Sequence, residues 1–253
     1  MLDVSGLSKS FGGLKAVSDA TVTVNEGEIV SLIGPNGAGK TTLFAMISGF
    51  LQADEGTVTL NNQDITGWRP FKICRLGLVR TFQVVQPFAN LSVRENIAVG
   101  AHTRLRRRAA ALAKAGEVAD IVGMGGMLDT SAGSLTVAGR KRLELARALA
   151  TEPKLLLLDE VMAGLNATEI DEIIGVVQDI RSSGVTIMLI EHVMQAVMSL
   201  SDRTYVLNNG VIIAGGTPQE VTRSPEVIEA YLGHGAAKRI AAMEEKNAGG
   251  DHA

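Results

Sequence analysis

Cysteine, aromatic side chains and long apolar runs are all scarce in this sequence of 253 residues. The single cysteine, Cys74, excludes an intramolecular disulfide and a cysteine-rich zinc site. Aromatic residues make up only 4% of the chain, so the core has to be built from aliphatic side chains. No stretch approaches the roughly 18 uninterrupted apolar residues that a membrane-spanning helix needs.

The charge balance argues against a nucleic-acid binder. The 24 basic and 27 acidic residues give a net charge of −3, whereas proteins dedicated to nucleic acid are usually basic. Apolar residues make up 46% and charged residues 20%, which is typical of a globular protein. Residues 1–11 lack the apolar stretch of a secretory signal, and we therefore expect a cytoplasmic chain with no nucleic-acid partner.

Short β-branched segments alternate with longer helical segments, which favours an α/β fold with a largely parallel sheet. A hairpin is predicted where apolar segments flank Asn208, Asn209 and Gly210. Helices are predicted at residues 40–49 and 168–181, the second with Thr168 as its N-cap. The other predicted strands lie at residues 21–24, 28–33, 57–60, 155–158 and 185–190.

The middle of the chain has a different composition. Residues 84–150 are rich in alanine, leucine and arginine and lack strong strand signals, which predicts a helical segment. The basic run at residues 104–108 is interpreted as a solvated helix face, with contact to a partner or an anionic lipid as the alternative. Residues 236–253 have little to bury and are expected to form a poorly ordered tail.

The strongest motif follows the predicted strand at residues 28–33 and opens the next helix. It reads GPNGAGKTT and fits the phosphate-binding pattern G-x-x-x-x-G-K-[ST]. Glycines let successive backbone N–H groups turn toward phosphate oxygens, and the helix N-terminus adds partial positive charge. We expect Lys40 to bridge the β- and γ-phosphates and the Thr41 hydroxyl to ligate Mg²⁺. The expected binding residues of this phosphate loop are Gly34, Pro35, Asn36, Gly37, Ala38, Gly39, Lys40, Thr41 and Thr42.

Two acids follow the four leucines at residues 155–158, which predict a buried central strand. Asp159 lies at the carboxyl end of that strand, where an acid can hold the shell of a Mg²⁺ ion, often through water. Glu160 comes next and can polarise an attacking water. Taken without the phosphate loop, the two acids would be interpreted as solvated residues at the end of a buried strand. Together with the phosphate loop, they predict a site for a nucleoside triphosphate.

These motifs, with others in a fixed order, resemble the ATP-binding subunits of ABC transporters over residues 2–233. The resemblance implies that Gln83, in the segment RTFQ, touches Mg²⁺ and the water and senses a membrane subunit. It implies that His192 contacts the γ-phosphate. It also implies that Phe11 stacks on adenine and that Val17 packs beside the base. A phenylalanine at a strand end, packed in the core, is the alternative for Phe11.

The resemblance also implies a fold and partners. The implied fold is a P-loop, RecA-like ATPase core of the α/β class with an antiparallel β subdomain and an α-helical subdomain. It would span residues 1–235, with the helical subdomain at about 84–150. Two such subunits pair head to tail and sandwich two ATP molecules, each between one phosphate loop and the other subunit's signature motif. Their movement drives two transmembrane permease subunits at the cytoplasmic face of the inner membrane.

The signature motif departs from the usual LSGGQ. Thr136 keeps a hydroxyl for the opposite γ-phosphate, Ala138 puts a methyl group where the family has bare backbone, and Gly139 replaces the glutamine. At a helix start, the N–H groups of this segment can still face phosphate. A working but altered site is favoured, and a degenerate site in an asymmetric pair is the alternative. Alignment on Arg142 and the ARAL segment after it places the motif at Leu135, Thr136, Val137, Ala138 and Gly139.

Two further departures lie after the catalytic acid. Val161 stands where the family usually has proline, and residues 163–166 read AGLN in place of the common SALD. Neither change removes a phosphate ligand, and both are expected to alter communication across the dimer.

Four segments narrow the resemblance to the bacterial importers of branched-chain amino acids: FGGLKAV from Phe11, RTFQ from Arg80, AGLN from Ala163 and VIEAYLG from Val227. In that family two different ATPase subunits pair beneath two membrane subunits, and a periplasmic binding protein delivers the substrate. Uptake systems for urea or amides and the lipopolysaccharide-export ATPase look similar and are the alternatives. The surface that contacts the membrane subunits is expected at residues 84–91, with Phe88 as a candidate seat or, alternatively, a packed aromatic of the helical subdomain.

Other classes of function fit the motifs less well. A non-transport ABC ATPase usually carries tandem cassettes or long coiled-coil insertions, which this chain lacks. A small-molecule phosphotransferase would leave Gln83, the signature motif and His192 without a purpose. The last class is a nucleotide-binding scaffold that does not hydrolyse ATP. The candidate base Glu160 argues against it, whereas Ala138 in the altered signature motif favours it.

Overall fold

The computed structural model describes residues 1–83 and 86–232. In that part of the chain, ten strands form two sheets. The strands are β1 (Leu2–Phe11), β2 (Leu14–Val24), β3 (Ile29–Ile33), β4 (Glu55–Leu60), β5 (Gln63–Asp64), β6 (Leu78–Arg80), β7 (Leu155–Asp159), β8 (Thr186–Ile190), β9 (Arg203–Asn208) and β10 (Val211–Gly216). The first sheet is antiparallel in the order β2-β1-β4-β5, and the second has the order β10-β9-β3-β8-β7-β6.

The described part of the chain also contains nine α-helices and two short 3₁₀ helices, Gly125–Met127 and Ala132–Ser134. The α-helices are α1 (Lys40–Ile47), α2 (Pro70–Leu76), α3 (Val93–Ala101), α4 (Arg108–Ile121), α5 (Val137–Leu149), α6 (Ala167–Ser182), α7 (Met194–Leu200), α8 (Pro218–Arg223) and α9 (Pro225–Leu232). Three of them, α3, α4 and α5, pack on one another and make up most of the region between β6 and β7.

The centre of the second sheet is parallel and buried on both faces. Every residue of β3, β7 and β8 is buried, and β8 pairs in parallel with the other two strands. Such strands consist of apolar residues without alternation, because helices or a second sheet cover both sides. Their carboxyl ends meet at one edge, which carries the phosphate loop, the Asp159–Glu160 pair and the Glu191–His192 pair.

Two hydrophobic clusters lie on opposite faces of this sheet. Leu155 and Leu157 point toward the antiparallel sheet and α1, while Leu156 and Leu158 point toward α5 and α6. This alternation follows from the two-residue period of a strand. Phe44 of α1 is fully buried in the first cluster, and most other core side chains are aliphatic, as the shortage of aromatics predicts.

The structure confirms the α/β class and the hairpin around Asn209. The predicted strands and the first predicted helix are present, most of them with shifts of a few residues at their ends, whereas β2 begins at Leu14 and not at Thr21. The elements that were not predicted are β1, β5, β6, α2, α7, α8 and α9.

The predicted N-cap at Thr168 is wrong. Helix α6 begins at Ala167, and Asn166 caps it by accepting a hydrogen bond from the Glu169 backbone N–H at 3.0 Å. The Glu169 side chain returns the contact by accepting from the Asn166 N–H, which completes a capping box. Asn166, one of the altered residues after the catalytic acid, therefore has a structural role as a cap.

The basic run at residues 104–108 is mostly exposed to solvent, as predicted, but the prediction that it lies on a helix is wrong. Helix α4 begins at Arg108, so the rest of the run precedes the helix. The Arg104 guanidinium donates to the backbone carbonyls of Arg75 and Thr151, which ties this turn to α2 and to the end of α5. The predicted tail at residues 236–253 lies outside the described residues. Within the described ranges, no helix is long and apolar enough to cross a membrane.

Two helical glycines allow a matched test of packing. A Cβ at Gly100 of α3 would collide with the Arg147 carbonyl oxygen of α5, whereas a Cβ at Gly116 of α4 would meet nothing within contact distance. We expect Gly100→Ala to lower the free energy of unfolding by about 1–3 kcal/mol through overpacking. Gly116→Ala should raise it by about 0.5–1 kcal/mol through helix propensity. Urea unfolding of both variants measures the difference, and equal effects would contradict the close approach of α3 and α5.

Candidate functional site

A cleft of about 990 Å³ opens at the edge where β3, β7 and β8 end. The phosphate loop forms its floor, and all nine residues from Gly34 to Thr42 line it. One wall comes from the turn between β1 and β2, and the other from Gln83, Glu160 and His192. The structure thus brings the loop and three distant polar side chains of the sequence analysis into one space.

Backbone of neighbouring strands confines the phosphate loop at two glycines. A Cβ at Gly34 would collide with the Leu207 carbonyl oxygen of β9, and a Cβ at Gly39 would collide with the Ala16 carbonyl oxygen of β2. Gly39 also has a φ of 104°, which disfavours any other residue. In addition, the Gly210 N–H donates to the Ala38 carbonyl at 2.9 Å, so the β9–β10 turn is hydrogen-bonded to the phosphate loop.

Lys40 lies across its own loop. Its ammonium donates to the carbonyl oxygens of Gly34 at 2.7 Å and Pro35 at 3.0 Å. Burial lowers the pKa of Lys40, and the carboxylates of Glu160 and Asp159 act in the opposite direction. The lysine is therefore a confined cation that faces two acids, an arrangement suited to an anionic ligand.

Asp159 and Glu160 differ in environment. Asp159 is only 1% exposed and does not line the cleft directly, and its Oδ2 accepts from Arg80 Nη2 at 2.7 Å. Its Oδ1 is buried with no hydrogen-bond partner among the described residues. Glu160 lines the cleft, and its Oε2 accepts from Gln83 Nε2 at 2.6 Å.

Glu160 has a strained backbone, with a φ of 50°. A non-glycine residue in the left-handed region is uncommon, and strained residues of this kind cluster at functional sites. Its N–H donates to the Ile190 carbonyl at 3.0 Å, and its carbonyl accepts from the Lys141 ammonium at 3.1 Å. These two bonds hold the turn in a position that aims the carboxylate at the cleft.

Helix α5 supports the site from behind with two residues that the sequence analysis missed. Besides its bond to Glu160, Lys141 Nζ lies 3.5 Å from the Gln83 carbonyl oxygen. Glu144 accepts from the Phe82 N–H at 2.7 Å, and burial raises the pKa of this carboxyl. No motif marks these side chains, because their importance arises from the packing of α5 against the chain near Gln83.

The two residues after β8 have separate positions. Glu191 is fully buried and accepts from the Met162 N–H at 3.0 Å, and burial raises its pKa. His192 is exposed and lines the cleft. Glu191 therefore braces the turn after Glu160, while the imidazole of His192 is free to reach a ligand.

Of the two residues predicted to contact adenine, Phe11 lines the cleft and Val17 does not. Phe11 is 49% exposed and lines the cleft, together with Leu14, Lys15 and Ala16. Val17 is fully buried in the cluster between the sheets and does not line the cleft. Its side chain supports the phosphate loop from below, since a Cβ at Gly39 would lie 3.2 Å from Val17 Cγ2.

The altered signature motif lies away from this cleft. None of its residues lines the cleft, and they form the start of α5 as predicted. Thr136 caps the helix by accepting from the Gly139 N–H at 3.1 Å. Thr136 and Val137 are exposed, while Leu135 and Ala138 are buried, so the Ala138 methyl group packs inward.

Tyr231 is a cleft residue for which the sequence analysis proposed no role. Helix α9 is anchored by Val227, which packs against Ile33 just before the phosphate loop. Tyr231 lies one turn further along and lines the cleft beside the Gly34 N–H. Burial raises the pKa of the Tyr231 phenol, and the Gly34 N–H acts in the opposite direction. Residues 34 and 231 are far apart in the chain, so the sequence gives no sign that they are close in space.

A second, apolar depression of about 250 Å³ lies beyond Gln83. Phe50, Phe71 and Phe82 line it, each about half exposed, and we refer to it as the phenylalanine groove. Phe50 and Phe82 meet edge to face with ring centroids 5.3 Å apart. Phe88, the predicted seat, does not line the groove, and its ring lies 5.0 Å from the Arg147 guanidinium. Val84 and Val85 lie outside the described residues.

Comparison with known sequences gives two family matches. The model of the ABC transporter family matches residues 17–163. A model described as branched-chain amino acid ATP-binding cassette transporter matches residues 211–237. The first match covers more than half of the chain and contains the phosphate loop and both acids.

Individual proteins give the same picture. LivG of Salmonella typhimurium, a high-affinity branched-chain amino acid transport ATP-binding protein, is 41% identical over 249 residues, covering 92% of this chain and 98% of LivG. BraF of Pseudomonas aeruginosa, which has the same description, matches with the same identity and coverage. Among solved structures, the ADP conformation of MJ1267, an ATP-binding cassette of an ABC transporter, has a TM-score of 0.84 at 34% identity. That match covers 92% of this chain and 99% of MJ1267.

The cleft predicts a specific role for its aromatic wall. We expect Phe11→Ala to weaken ATP binding about tenfold, because it removes the π-face on which adenine would stack. Phe11→Tyr should bind ATP normally. Phe71→Ala is the matched control, since Phe71 has a similar exposure of 52% but lies in the phenylalanine groove. Titration with a fluorescent ATP analogue measures the affinities, and equal affinities of Phe11→Ala and the control would remove Phe11 from the site.

Proposed function

Because this chain belongs to the ABC transporter family, we propose that it is the ATP-hydrolysing subunit of an importer of branched-chain amino acids. The observation that carries the ATPase assignment is the single cleft that contains Lys40, Gln83, Glu160 and His192. The choice of substrate is supported by the match at residues 211–237 and by the high identity to LivG and BraF.

The chain's charged groups suit triphosphate binding. Phosphate oxygens would replace the Gly34 and Pro35 carbonyls as acceptors for Lys40, whose bonds at 2.7 and 3.0 Å already place the ammonium over the loop. The loop N–H groups and the N-terminus of α1 add donors for the same oxygens. Phe11 lines the same cleft and would offer its ring to the base.

Glu160 is proposed as the general base that takes a proton from the attacking water. Its strained backbone and its bonds to Ile190 and Lys141 hold the turn that carries the carboxylate into the cleft, where the γ-phosphate would bind. Gln83 Nε2 bonds to the same carboxylate, so a shift of Gln83 would change how Glu160 holds the water. His192 would contact the γ-phosphate from the next strand.

The residues present fit a Mg²⁺ ion. The buried Oδ1 of Asp159 lacks a partner in the described part of the chain, and Thr41 and Gln83 line the cleft above it. A carboxylate, a hydroxyl and an amide are hard oxygen donors of the kind Mg²⁺ takes when phosphates and waters supply the rest. We propose that Thr41, Gln83 and Asp159 hold the ion, which would neutralise charge on the phosphates.

A second ATP-binding subunit is proposed to complete the site. Thr136 and Val137 are exposed at the start of α5 but do not line the cleft of their own chain. The N-terminus of a helix attracts anions, so this surface suits the γ-phosphate held by a partner mounted head to tail. In the cell, that partner is proposed to be a different chain.

The buried methyl group of Ala138 supports a working signature motif. Because it packs inward, it leaves the exposed backbone at Thr136 and Val137 open to phosphate. We expect Ala138→Gly to change the ATPase rate of the full complex by less than about threefold. An increase of orders of magnitude would instead identify a degenerate site.

The phenylalanine groove is proposed as the seat of a transmembrane permease subunit. Its exposed rings suit a short apolar helix of that partner, and its rim is formed by Phe82, next to Gln83 of the cleft. The subunit would therefore lie at the cytoplasmic face of the inner membrane. A periplasmic binding protein would deliver the amino acid to the permeases.

The mechanism predicts a defined effect for Glu160→Gln. This variant should bind ATP with an affinity within about threefold of the wild type and lose at least about 100-fold in hydrolysis, because the amide cannot accept the water proton. Glu117→Gln is the control and should keep full activity, because Glu117 is an exposed residue of α4. Single-turnover hydrolysis by the isolated complex measures the rate. Unchanged hydrolysis in Glu160→Gln would exclude Glu160 as the base.

The groove predicts which phenylalanine couples ATPase and permease. Phe71→Ser should reduce co-purification with the membrane subunits and ATP-driven leucine uptake in proteoliposomes at least about fivefold. Phe88→Ser tests the seat predicted from the sequence and should reduce neither. The reverse result, with loss only in Phe88→Ser, would move the docking surface to residues 86–91.

A further inference from the structure

A buried ion pair connects the phenylalanine groove to the acid proposed to hold the metal shell. Arg80 Nη2 donates to Asp159 Oδ2 at 2.7 Å, and the two side chains are 7% and 1% exposed. Arg80 ends β6, whose parallel pairing with β7 sets it opposite Leu157, two residues before Asp159. The neighbouring strand therefore delivers the guanidinium directly to the acid.

Each partner has a second atom that the pair does not use. Arg80 Nε and Asp159 Oδ1 are both buried without a hydrogen-bond partner in residues 1–83 and 86–232. A carboxylate held by one oxygen keeps one fixed orientation and leaves the other oxygen free for a different ligand. Since Asp159 is this deeply buried, the orientation depends mainly on Arg80.

The other side of Arg80 faces the groove. Its guanidinium lies 5.7 Å from the centre of the Phe82 ring, and Arg80 lines the groove together with Phe50 and Phe71. A cation over an aromatic face is attracted by the ring's quadrupole. A partner that displaces or clamps Phe82 would thus act on the same guanidinium that holds Asp159.

We propose that Arg80 is a positioning residue that orients Asp159 toward the metal and transmits occupation of the phenylalanine groove to that acid. The proposal rests on the proposed ATPase function for the identity of the ligand. Without Arg80, the Asp159 carboxylate would be free to turn toward the Lys40 ammonium, with which it already interacts electrostatically. Asp159 Oδ1 would then no longer be presented to the metal's water shell.

The test measures divalent metal binding instead of turnover. Mn²⁺ is titrated by electron paramagnetic resonance into the full-length protein saturated with a non-hydrolysable ATP analogue. We expect Arg80→Met to weaken Mn²⁺ binding at least about tenfold while the affinity for the analogue in EDTA stays within about twofold. Arg80→Lys, which keeps the charge and the chance of one bond to Asp159, should recover at least half of the loss on a logarithmic scale.

Two further variants separate the metal from the groove. Arg75→Met is the matched control, because Arg75 also lies over a groove phenylalanine, 5.9 Å from the Phe71 ring centre, but bonds to neither acid. It should bind Mn²⁺ like the wild type. Phe82→Leu removes the ring beneath Arg80 without touching the ion pair and should weaken Mn²⁺ binding about threefold.

Wild-type Mn²⁺ affinity in both Arg80→Met and Arg80→Lys would overturn the positioning role. Wild-type affinity in Phe82→Leu alone would overturn the link to the groove. If Arg80→Met fails to fold, wild-type Mn²⁺ affinity in both Arg80→Lys and Phe82→Leu would overturn the proposal, because both variants disturb the guanidinium but keep the buried positive charge. If the wild-type complex does not hydrolyse ATP, the proposed function is refuted. The Mn²⁺ titration is independent of that result, because it uses a non-hydrolysable analogue.

Discussion

The parallel pairing of three fully buried strands is the constraint on which the site depends. Strands β3, β7 and β8 have no polar face, so they are stable only between two layers of other structure. Parallel pairing makes all three end at the same edge. The turns that follow them therefore converge, which brings Lys40, Glu160 and His192 from positions about 150 residues apart into one cleft.

Charge compensation organises the residues around that edge. Lys40 is held by carbonyl oxygens and faces two acids, Asp159 is held by Arg80, and Glu160 is held by Gln83. Each of these bonds is made by a group that a triphosphate, a divalent metal or a water also recognises. On the proposed function, phosphate would take Lys40 from its carbonyl partners, while Asp159 keeps Arg80. The protein then brings no further charge of its own into the interior, which would cost several kcal/mol for each ion.

Two surfaces outside the cleft, the start of α5 and the phenylalanine groove, are connected to it by a few contacts. The start of α5 presents an exposed helix N-terminus that serves no ligand of its own chain. The phenylalanine groove presents three half-exposed rings in a protein with few aromatics. Both surfaces are joined to the cleft by short connections, through Lys141 and Glu144 in one case and through Arg80 and Phe82 in the other. A family member that works as part of a larger assembly needs such connections.

The sequence by itself determined the α/β class, the phosphate loop and the order of the motifs, because glycine, lysine and buried-strand patterns are local signals with direct physical causes. It also predicted that Phe11, Gln83, Glu160 and His192 would serve one site. Only the tertiary structure decided that Val17 faces the core and that Arg80 holds Asp159. Those facts depend on which face of a strand is buried and on which strands are neighbours. Neither is encoded in residue spacing, because the contacts join segments as far apart as β6 and β7.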